Sequence, residues 1–323
     1  MMRAFVREAE SLNVVLPKPA MQCVDAPHEE REDHEAESVE RHCINVYRMP
    51  DLSIVIPSYN TAAMTLRCCQ AVLASRPDSS EVIVVDDGSS DGTADLLSRE
   101  VPAVRVVCLE SNRGFAAAAN RGVGEAKGRI VLLLNSDAFV EAGAINALLS
   151  AFDDDGRLGV AGARLLNEDG TPQWSGGRTP TLLWMIGVVS GAGHLARSFR
   201  RHSLDRDVDW VSGAAMAFRR EVWSPFSERF RFYCQDIEFC LSAKRKGWNV
   251  RIVDDARVIH RLGATINEQS PDRERLWRDL LTWGRSHYGT LWWFVARAML
   301  VTIAAIRRTG GDRARSRSVR SVS

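Results

Sequence analysis

The feature that most constrains this chain is a run of five aliphatic residues, Ile130–Leu134, which ends in the polar triplet Asn135-Ser136-Asp137. A continuous apolar run of this length, with Gly128 before it, predicts a strand buried on both faces of a parallel sheet. Ligands of open α/β sheets bind beyond the carboxyl ends of such strands. Asp137 would therefore lie where a carboxylate could hold a divalent cation against a phosphorylated ligand, although a helix N-cap would also explain an aspartate there.

The same order of strand, polar turn and helix recurs through the first half of the chain. Strands are predicted at residues 52–57, 81–85 and 104–109, with helices at 61–76, 93–97 and 115–126. Strands that alternate with single helices predict an α/β fold with a doubly wound, mostly parallel sheet. The glycines at 122, 124 and 128 loosely resemble a dinucleotide fingerprint, but they close a helix where that motif opens one, which excludes a Rossmann dehydrogenase.

The second half is less regular. It predicts a helix at 142–152, a strand at 158–166, a loop-rich tract at 167–209, one strand at 210–218, a helix at 235–246, two short strands at 249–253 and 256–259, and an amphipathic helix at 272–288.

Composition excludes some partners and compartments. The formal net charge of +1 gives no overall attraction to nucleic acid, so we expect no such partner. The seven cysteines contain no CxxC pair, which favours a reducing cytoplasm over a disulfide framework. An acidic, histidine-containing run at 25–40 predicts a disordered leader over residues 1–50, with metal binding as the alternative.

The carboxyl end leaves two interpretations open. Residues 290–306 are apolar and aromatic but short for a membrane span and interrupted by Arg297, and further arginines follow to residue 320. These residues could form an interfacial helix on anionic lipid at the inner face of the cell membrane, or a helix packed on the domain. The predicted organisation is a leader at 1–50, a main domain at 51–265, carboxyl-terminal helices at 266–308 and a disordered basic tail at 309–323.

Four motifs in order resemble the inverting family-2 glycosyltransferases, in particular the bacterial rhamnosyltransferase-like enzymes. They lie at residues 55–60, 84–93, 112–122 and 132–137. The resemblance covers residues 52–260 and implies the GT-A fold, a Rossmann-like, mostly parallel sheet flanked by helices, here with a carboxyl-terminal helical extension. It also implies a UDP- or dTDP-sugar donor, rhamnose being one candidate sugar, and a glycan or lipid-linked acceptor in cell-surface polysaccharide synthesis.

The resemblance implies roles for individual residues. Those implied to bind the donor are Pro57, Tyr59, Asp86, Asp87, Asn112, Arg113, Asn135 and Asp137. Asp137 and His260 would hold Mg²⁺ or Mn²⁺, which offsets the charge that builds on a departing diphosphate. A structural role is the alternative for His260, as an isolated histidine after a strand. Asp236 would be the general base that takes the proton of the acceptor hydroxyl.

The remaining site residues concern the acceptor. Trp210, Gly213 and Glu238 are implied to bind it. Gln235 stands where the family usually has an acid, which removes a charge beside Asp236. Two other function classes stay open: a catalytically inactive sugar-nucleotide-binding protein, and a nucleotidyltransferase, which usually carries a glycine- and lysine-rich loop where this chain has Ser58-Tyr59-Asn60.

Overall fold

A computed structural model of the chain describes residues 50–179, 181, 207–230, 233–261 and 272–320, with side chains of the last helix described for 278–302. The predicted leader up to residue 49 and much of the predicted loop-rich tract lie outside the described residues. The first half alternates strands and helices as its pattern predicted. Its elements are β1 (Leu52–Ser58), α1 (Ala62–Ser75), β2 (Ser80–Asp86), α2 (Thr93–Glu100), β3 (Arg105–Cys108), α3 (Phe115–Glu125) and β4 (Ile130–Leu134).

The second half adds shorter and more irregular elements. They are β5 (Ala138–Val140), α4 (Ala144–Asp154), β6 (Leu158–Leu166), β7 (Gly176–Gly177), β8 (Trp210–Val211), β9 (Ala215–Arg219), a 3₁₀ turn (Arg220–Val222), α5 (Gln235–Arg245), β10 (Asn249–His260) and α6 (Asp272–Arg320).

One eight-stranded sheet organises the domain, in the order β3-β2-β1-β4-β9-β6-β10-β5. β1 pairs in parallel with β2 and β4, and β6 pairs in parallel with β10. β9 is antiparallel to both of its neighbours, and β5 is antiparallel to β10 at the edge. The predicted mostly parallel α/β sheet is therefore confirmed.

Helices cover both faces of this sheet, which explains why its central strands are apolar throughout. Alternate β4 residues face opposite ways: Ile130, Leu132 and Leu134 pack with α1, α2 and α4 on one face, and Val131 and Leu133 pack with α3 and α5 on the other. All of these β4 side chains are at most 1% exposed. The prediction from the aliphatic run is confirmed, because only a doubly covered strand buries every side chain.

Two predictions about strands were wrong, and one strand of the large sheet was missed. The predicted strand 210–218 is broken at 212–214, because the Ser212 and Gly213 N–H groups donate outside the large sheet, to the Ser175 carbonyl and the Asp236 carboxylate. The two strands predicted at 249–253 and 256–259 form one strand, β10, which is bent by a register shift between Val253 and Arg257. The three-residue strand β5 was not predicted, since so short a segment shows no periodicity.

The last helix changes direction at Gly289, whose backbone is not helical (φ +83°, ψ −178°). Before this break the helix agrees with the prediction, and Leu280 and Trp283 lie buried against the domain. After it, the Trp292 ring packs on Gly284, where any side chain would overlap the ring. The backbone is helical to Arg320, where the sequence predicted a disordered tail from 309. No helix in the described part of the chain is long and apolar enough to cross a membrane.

Candidate active site

Three of the predicted motifs meet at the edge of the sheet where β1, β2 and β4 end. The Asp87 backbone N–H donates to the Ser58 carbonyl (2.9 Å), which joins the turn after β1 to the loop after β2. The hydroxyls of Thr61 and Ser136 lie 3.1 Å apart and join the same turn to the end of β4. Hydrogen bonds therefore join the carboxyl ends of these parallel strands into one polar edge of the sheet.

Asn60 and Asp91 hold the turn after β1 and the loop after β2 together. Asn60 has a left-handed backbone (φ +51°), and its side-chain oxygen accepts from the Ser90 N–H (2.9 Å). Asp91 accepts from the Ala62 N–H (2.9 Å) and from the Thr93 hydroxyl (2.5 Å). Partial burial acts to raise the pKa of Asp91, but these hydrogen bonds outweigh it and lower the pKa below its ordinary value.

The paired aspartates after β2 are both buried, but they differ in what they contact. The two carboxylate oxygens of Asp87 accept from the backbone N–H groups of Arg113 and Gly114, each at 2.8 Å. Burial raises the pKa of Asp87, and these two hydrogen bonds oppose the rise. Asp86 accepts from the Ser89 N–H through Oδ1 (3.2 Å). Asp87 therefore anchors the 112–114 segment and so sets the position of that predicted donor-binding segment.

The other predicted donor-binding residues differ in exposure around this edge. Pro57 is buried at the end of β1 and Tyr59 is half-buried. Asn112 and Arg113 are exposed, and the Arg113 guanidinium pairs with Glu228 at 3.2 Å. The edge thus combines buried carboxylates with exposed amide and guanidinium groups, the donors that a diphosphate needs.

Asp137 and His260 come together through the unpredicted strand β5. The register of β5 against β10 pairs Ala138 with His260, and the Arg261 N–H donates to the Asp137 carbonyl (2.9 Å). As a result, His260 Nε2 lies 3.4 Å from Asp137 Oδ1. Asn135 Nδ2 lies 3.4 Å from the same ring nitrogen. From the sequence, only the family resemblance suggested that these two residues act together. In the structure, the pairing of β5 with β10 brings their side chains close to each other.

These side chains suit a divalent cation. A carboxylate oxygen and an imidazole nitrogen, both nearly buried, face one point, and two adjacent ligands of one octahedral ion lie about 3 Å apart. Among the described residues, no cluster of three or more His, Cys, Asp or Glu side chains could hold a metal. An ion at this point would therefore complete its coordination with water or phosphate oxygens, as Mg²⁺ and Mn²⁺ do in phosphate sites.

Asp236 lies in the first turn of α5, after Cys234, whose backbone is left-handed (φ +73°). Its Oδ2 accepts from the Gly213 N–H (3.1 Å), and its Oδ1 accepts from the Ile237 N–H (2.8 Å). Burial raises the pKa of this carboxyl, and the two backbone hydrogen bonds oppose the rise. A raised pKa makes an aspartate a stronger proton acceptor, which suits a general base.

Two neighbours of Asp236 on α5 have structural contacts. Gln235 is buried, and its amide Nε2 donates to the Phe230 carbonyl (3.0 Å). Glu238 accepts from Arg229 at 2.9 and 3.0 Å. The usual acid at 235 is thus replaced by a side chain that holds the preceding loop, and a role for Glu238 in acceptor binding stays a prediction.

The break between β8 and β9 connects the base to the cation-binding residues. The Asn135 N–H donates to the Ala214 carbonyl (2.9 Å), and the neighbouring Gly213 donates to Asp236. A Cβ on Gly213 would lie 3.7 Å from that of Asp236. The short segment 212–214 therefore lies between the end of β4 and the start of α5.

Gln173 and Trp174, which lie between β6 and β7, belong to none of the predicted sites. Gln173 is 9% exposed and contacts His260 through both ends of its amide.

Trp174 is 44% exposed and packs edge-on against the predicted acceptor residue Trp210, with ring centroids 5.0 Å apart. Trp210 itself is buried and donates to the Arg178 carbonyl (3.1 Å), so the outward-facing ring of this pair is Trp174. Only the Trp-Ser-Gly-Gly string at 174–177 hinted at this segment.

The sequence model of the family described as "Glycosyl transferase family 2" matches residues 53–224. A succinoglycan biosynthesis protein, ExoO, of Rhizobium meliloti is 34% identical over 125 residues, which cover 38% of this chain and 36% of that protein. An N-acetylglucosaminyl-diphospho-decaprenol L-rhamnosyltransferase of Mycobacterium tuberculosis is 28% identical over 212 residues, 59% of this chain and 68% of that protein. The match therefore spans about a third of the first relative's length.

Solved structures agree with the fold. A mannosyltransferase from Pyrobaculum calidifontis, solved with GDP-Man and Mn²⁺, superposes with a TM-score of 0.54 at 17% identity, covering 83% of this chain and 81% of that one. Residues 1–349 of S. aureus TarS superpose with a TM-score of 0.50 at 17% identity, covering 72% and 64% of the two chains. At this identity the likeness concerns the fold alone.

Proposed function

Because this chain belongs to glycosyl transferase family 2, we propose that it transfers a sugar from a nucleoside-diphosphate donor to a glycan or lipid-linked acceptor. One observation carries the proposal. The segment 212–214 bonds on one side to Asn135, beside the Asp137–His260 pair, and on the other side to Asp236. The residues proposed to hold the cation and the residue proposed as the base are therefore linked through one short segment, which supports a role for both in a single reaction.

The donor would bind along the ends of β1 and β2. Asp87 uses both oxygens to hold the 113–114 backbone, so Asp86 is the better candidate for hydrogen bonding a pyrimidine or a ribose hydroxyl. Pro57 and Tyr59 would contact the base, and Asn112, Arg113 and Asn135 would contact the ribose or the diphosphate. A UDP- or dTDP-sugar, with rhamnose as one candidate, fits the sequence resemblance, and the mycobacterial relative is named a rhamnosyltransferase.

Asp137 and His260 would hold Mg²⁺ or Mn²⁺ against the donor diphosphate. The carboxylate and the imidazole approach within 3.4 Å and are nearly buried, so little rearrangement is needed to bind an ion. The bound cation would supply Lewis-acid stabilisation of the charge on the leaving diphosphate. The fold relative from Pyrobaculum was solved with Mn²⁺, which supports the same choice of metal here.

Asp236 would accept the proton of the acceptor hydroxyl as that oxygen attacks the anomeric carbon. A single displacement needs one base on the face of the sugar opposite the diphosphate, and it inverts the anomeric centre. Trp210, Gly213 and Glu238 would border the acceptor. The Gly213 contact with Asp236 supports this, since an acceptor beside Gly213 would reach the carboxylate directly.

The helix after Gly289 supports a peripheral contact with the inner face of the cell membrane. Leu291, Phe294 and Val301 are exposed by 77%, 60% and 61%. They recur at intervals of three and seven residues, so they lie along one stripe of the helix, and arginines follow to residue 320. An apolar stripe beside a basic segment is the arrangement that binds anionic lipid, and it would bring the site to lipid-linked acceptors in the cytoplasm.

A turnover assay tests the proposed function. The chain is incubated with UDP-, dTDP- and GDP-sugars and Mn²⁺, with simple glycosides and prenyl-diphosphate sugars as acceptors, and product configuration is read by NMR. We expect transfer with inversion from one donor class and none in chelator. Tight donor binding without transfer or donor hydrolysis would favour the inactive sugar-nucleotide binder. The family membership gives no support to the nucleotidyltransferase alternative.

A further inference from the structure

Gln173 contacts His260 at two points, although 87 positions separate them in the chain. Its amide Nε2 donates to the His260 main-chain carbonyl. Its Oε1 lies 3.1 Å from His260 Nδ1. The Gln173 side chain thus holds the backbone and the ring of the same histidine.

The first contact determines the direction of the amide. A carbonyl oxygen accepts hydrogen bonds and donates none, so the end of Gln173 that faces the His260 carbonyl must be its NH₂ group. Oε1 is then the end that faces the ring. Because Oε1 can only accept, His260 Nδ1 must carry the hydrogen.

The second nitrogen of the ring follows from the first. In a neutral imidazole one nitrogen carries the hydrogen and the other carries a lone pair, so a hydrogen on Nδ1 leaves the lone pair on Nε2. Nε2 is the nitrogen that lies 3.4 Å from Asp137 Oδ1 and 3.4 Å from the Asn135 amide nitrogen. In the neutral ring, the lone pair therefore lies on the nitrogen beside Asp137, the other residue proposed to hold the cation.

Gln173 is itself held in place by the strand before it. Its backbone N–H donates to the Leu165 carbonyl (2.8 Å). The Ser175 hydroxyl accepts from the Leu165 N–H (2.8 Å) and donates to the Gln173 carbonyl (3.3 Å). These bonds fix the Gln173 backbone, and the bond from Nε2 to the His260 carbonyl orients the amide at its end.

We propose that Gln173 is a positioning residue that holds His260 in the Nδ1–H tautomer, so that Nε2 serves as the nitrogen ligand of a divalent cation beside Asp137. The identity of the ligand, a divalent cation, rests on the proposed metal-dependent sugar transfer. Gln173 itself lies outside all the recognised motifs. Partners of metal-bound histidines that fix the tautomer in this way typically contribute 10- to 100-fold to metal affinity.

The test uses the full chain labelled with ¹⁵N-histidine, two variants of Gln173, one control variant and one variant for spectral assignment. Gln173→Leu has a similar size but neither accepts from Nδ1–H nor donates to the carbonyl. Gln173→Glu keeps an acceptor for Nδ1–H and is the conservative variant. Gln70→Leu, at an exposed position of α1, is the matched control. Long-range ¹H–¹⁵N spectra in alkaline buffer, assigned with His260→Asn, report the tautomer without metal, and calorimetry reports Mn²⁺ affinity.

We expect the Nδ1–H tautomer in wild type, Gln173→Glu and Gln70→Leu, and loss of that preference in Gln173→Leu with Mn²⁺ affinity lower by about 10- to 100-fold. An Nε2–H tautomer in wild type would overturn the proposal, and this holds even if Gln173→Leu does not fold. Wild-type Mn²⁺ affinity in a folded Gln173→Leu would overturn it too. If wild type shows the tautomer and binds Mn²⁺ but transfers no sugar, the proposed function fails and the positioning role stands.

Discussion

At the scale of single residues, the carboxylate at 236 carries the most direct prediction. Asp236→Asn keeps the size of the side chain and one acceptor oxygen for the Gly213 or Ile237 N–H, but it cannot take a proton. We expect kcat to fall by about 10²- to 10⁴-fold with donor affinity nearly unchanged, as is typical when a general base is lost. Steady-state kinetics and donor calorimetry measure the two effects.

Glu238→Gln is the matched control for that variant, since it removes a charge from the same helical turn. Glu238 pairs with Arg229, so its loss should cost kcat much less than the loss of Asp236. A folded Asp236→Asn protein with wild-type turnover would reduce Asp236 to a structural residue at the start of α5.

The raised pKa of Asp236 predicts a pH dependence. A base works only when it is ionised, so kcat/KM should fall on acidification, and the fall should be centred above the ordinary aspartate pKa of about 3.9. The stability contributed by this group changes with pH in the opposite direction to that of an acid in a salt bridge. With its pKa raised by folding, this group stabilises the fold fully below the ordinary pKa, and that contribution is lost as pH rises through the folded pKa.

The measurements are pH–rate profiles and unfolding free energies of wild type and Asp236→Asn. Relative to wild type, the stability of the variant should improve as pH rises from about 4 through the raised pKa of Asp236 in the folded protein. An acidic limb centred at or below the ordinary aspartate value would contradict the assignment of Asp236 as the base.

At the scale of elements, the contact of α3 with β1 depends on one glycine. A Cβ at Gly122 would overlap the Val55 side chain and lie 2.9 Å from Val85 Cγ2, whereas a Cβ at Gly124 would meet no atom within 4 Å. Gly122→Ala should therefore destabilise the domain by about 1–3 kcal/mol through overpacking. Gly124→Ala, the matched control in the same helix, should stabilise it by up to about 1 kcal/mol through helix propensity.

Urea denaturation measures both changes. Adding Val55→Ala to Gly122→Ala removes the overlapping methyl groups, so the double variant should recover part of the loss attributable to overpacking. Equal stability of Gly122→Ala and Gly124→Ala would mean that α3 moves away from the sheet at little cost.

The helix after Gly289 carries a second prediction at this scale. Replacing Leu291 and Phe294 with Asn removes the apolar stripe but leaves every arginine in place. We expect binding to vesicles with anionic phospholipid to fall strongly, because the apolar contribution scales with the buried area. Sedimentation with vesicles at low and high salt measures it.

Arg297→Gln is the comparison variant, since it removes one exposed charge from the same helix. It should weaken vesicle binding modestly, by about 1 kcal/mol, and reduce the salt dependence. Vesicle binding by the Leu291/Phe294 double variant equal to that of wild type would remove the membrane proposal.

At the scale of the whole molecule, ligand binding should appear as stability of the entire fold. A donor with Mn²⁺ at about 100 times its dissociation constant adds roughly 2.7 kcal/mol to the free energy of unfolding. Asp137→Ala should abolish transfer and lose most of the Mn²⁺-dependent part of that gain. Asp153→Ala is the control, since it removes a carboxylate that pairs with Arg129, the residue before β4. This variant should keep both the transfer activity and the Mn²⁺-dependent gain in stability.

Thermal unfolding with and without Mn²⁺ and donor measures this coupling. Full activity of Asp137→Ala, or undiminished wild-type activity in chelator, would contradict a cation held at Asp137. A large drop in stability without ligand would mean that the carboxylate is needed for the fold itself, independently of metal.

The sequence by itself determined those features that depend only on residues close together in the chain, because the hydrophobic pattern of a segment records them directly. The aliphatic run of β4 requires cover on both faces, because no other position buries every side chain, and the alternation of strands and helices predicts a mostly parallel sheet. The polar residues after β1, β2 and β4 follow their strands directly, so their place at one edge follows from parallel pairing.

Only the tertiary structure decided the contacts between distant segments. The three residues of β5 carry no periodicity, yet their pairing with β10 brings His260 to Asp137. Gln173 belongs to no motif, and it reaches His260 because β6 and β10 are neighbours in the sheet. The sequence at 212–214 predicts strand. The strand breaks there because the Gly213 N–H donates to the Asp236 carboxylate and the Ser212 N–H donates to the Ser175 carbonyl. Each of these depends on which strands pair and in what register, and the hydrophobic period of a single segment carries no information about its partner.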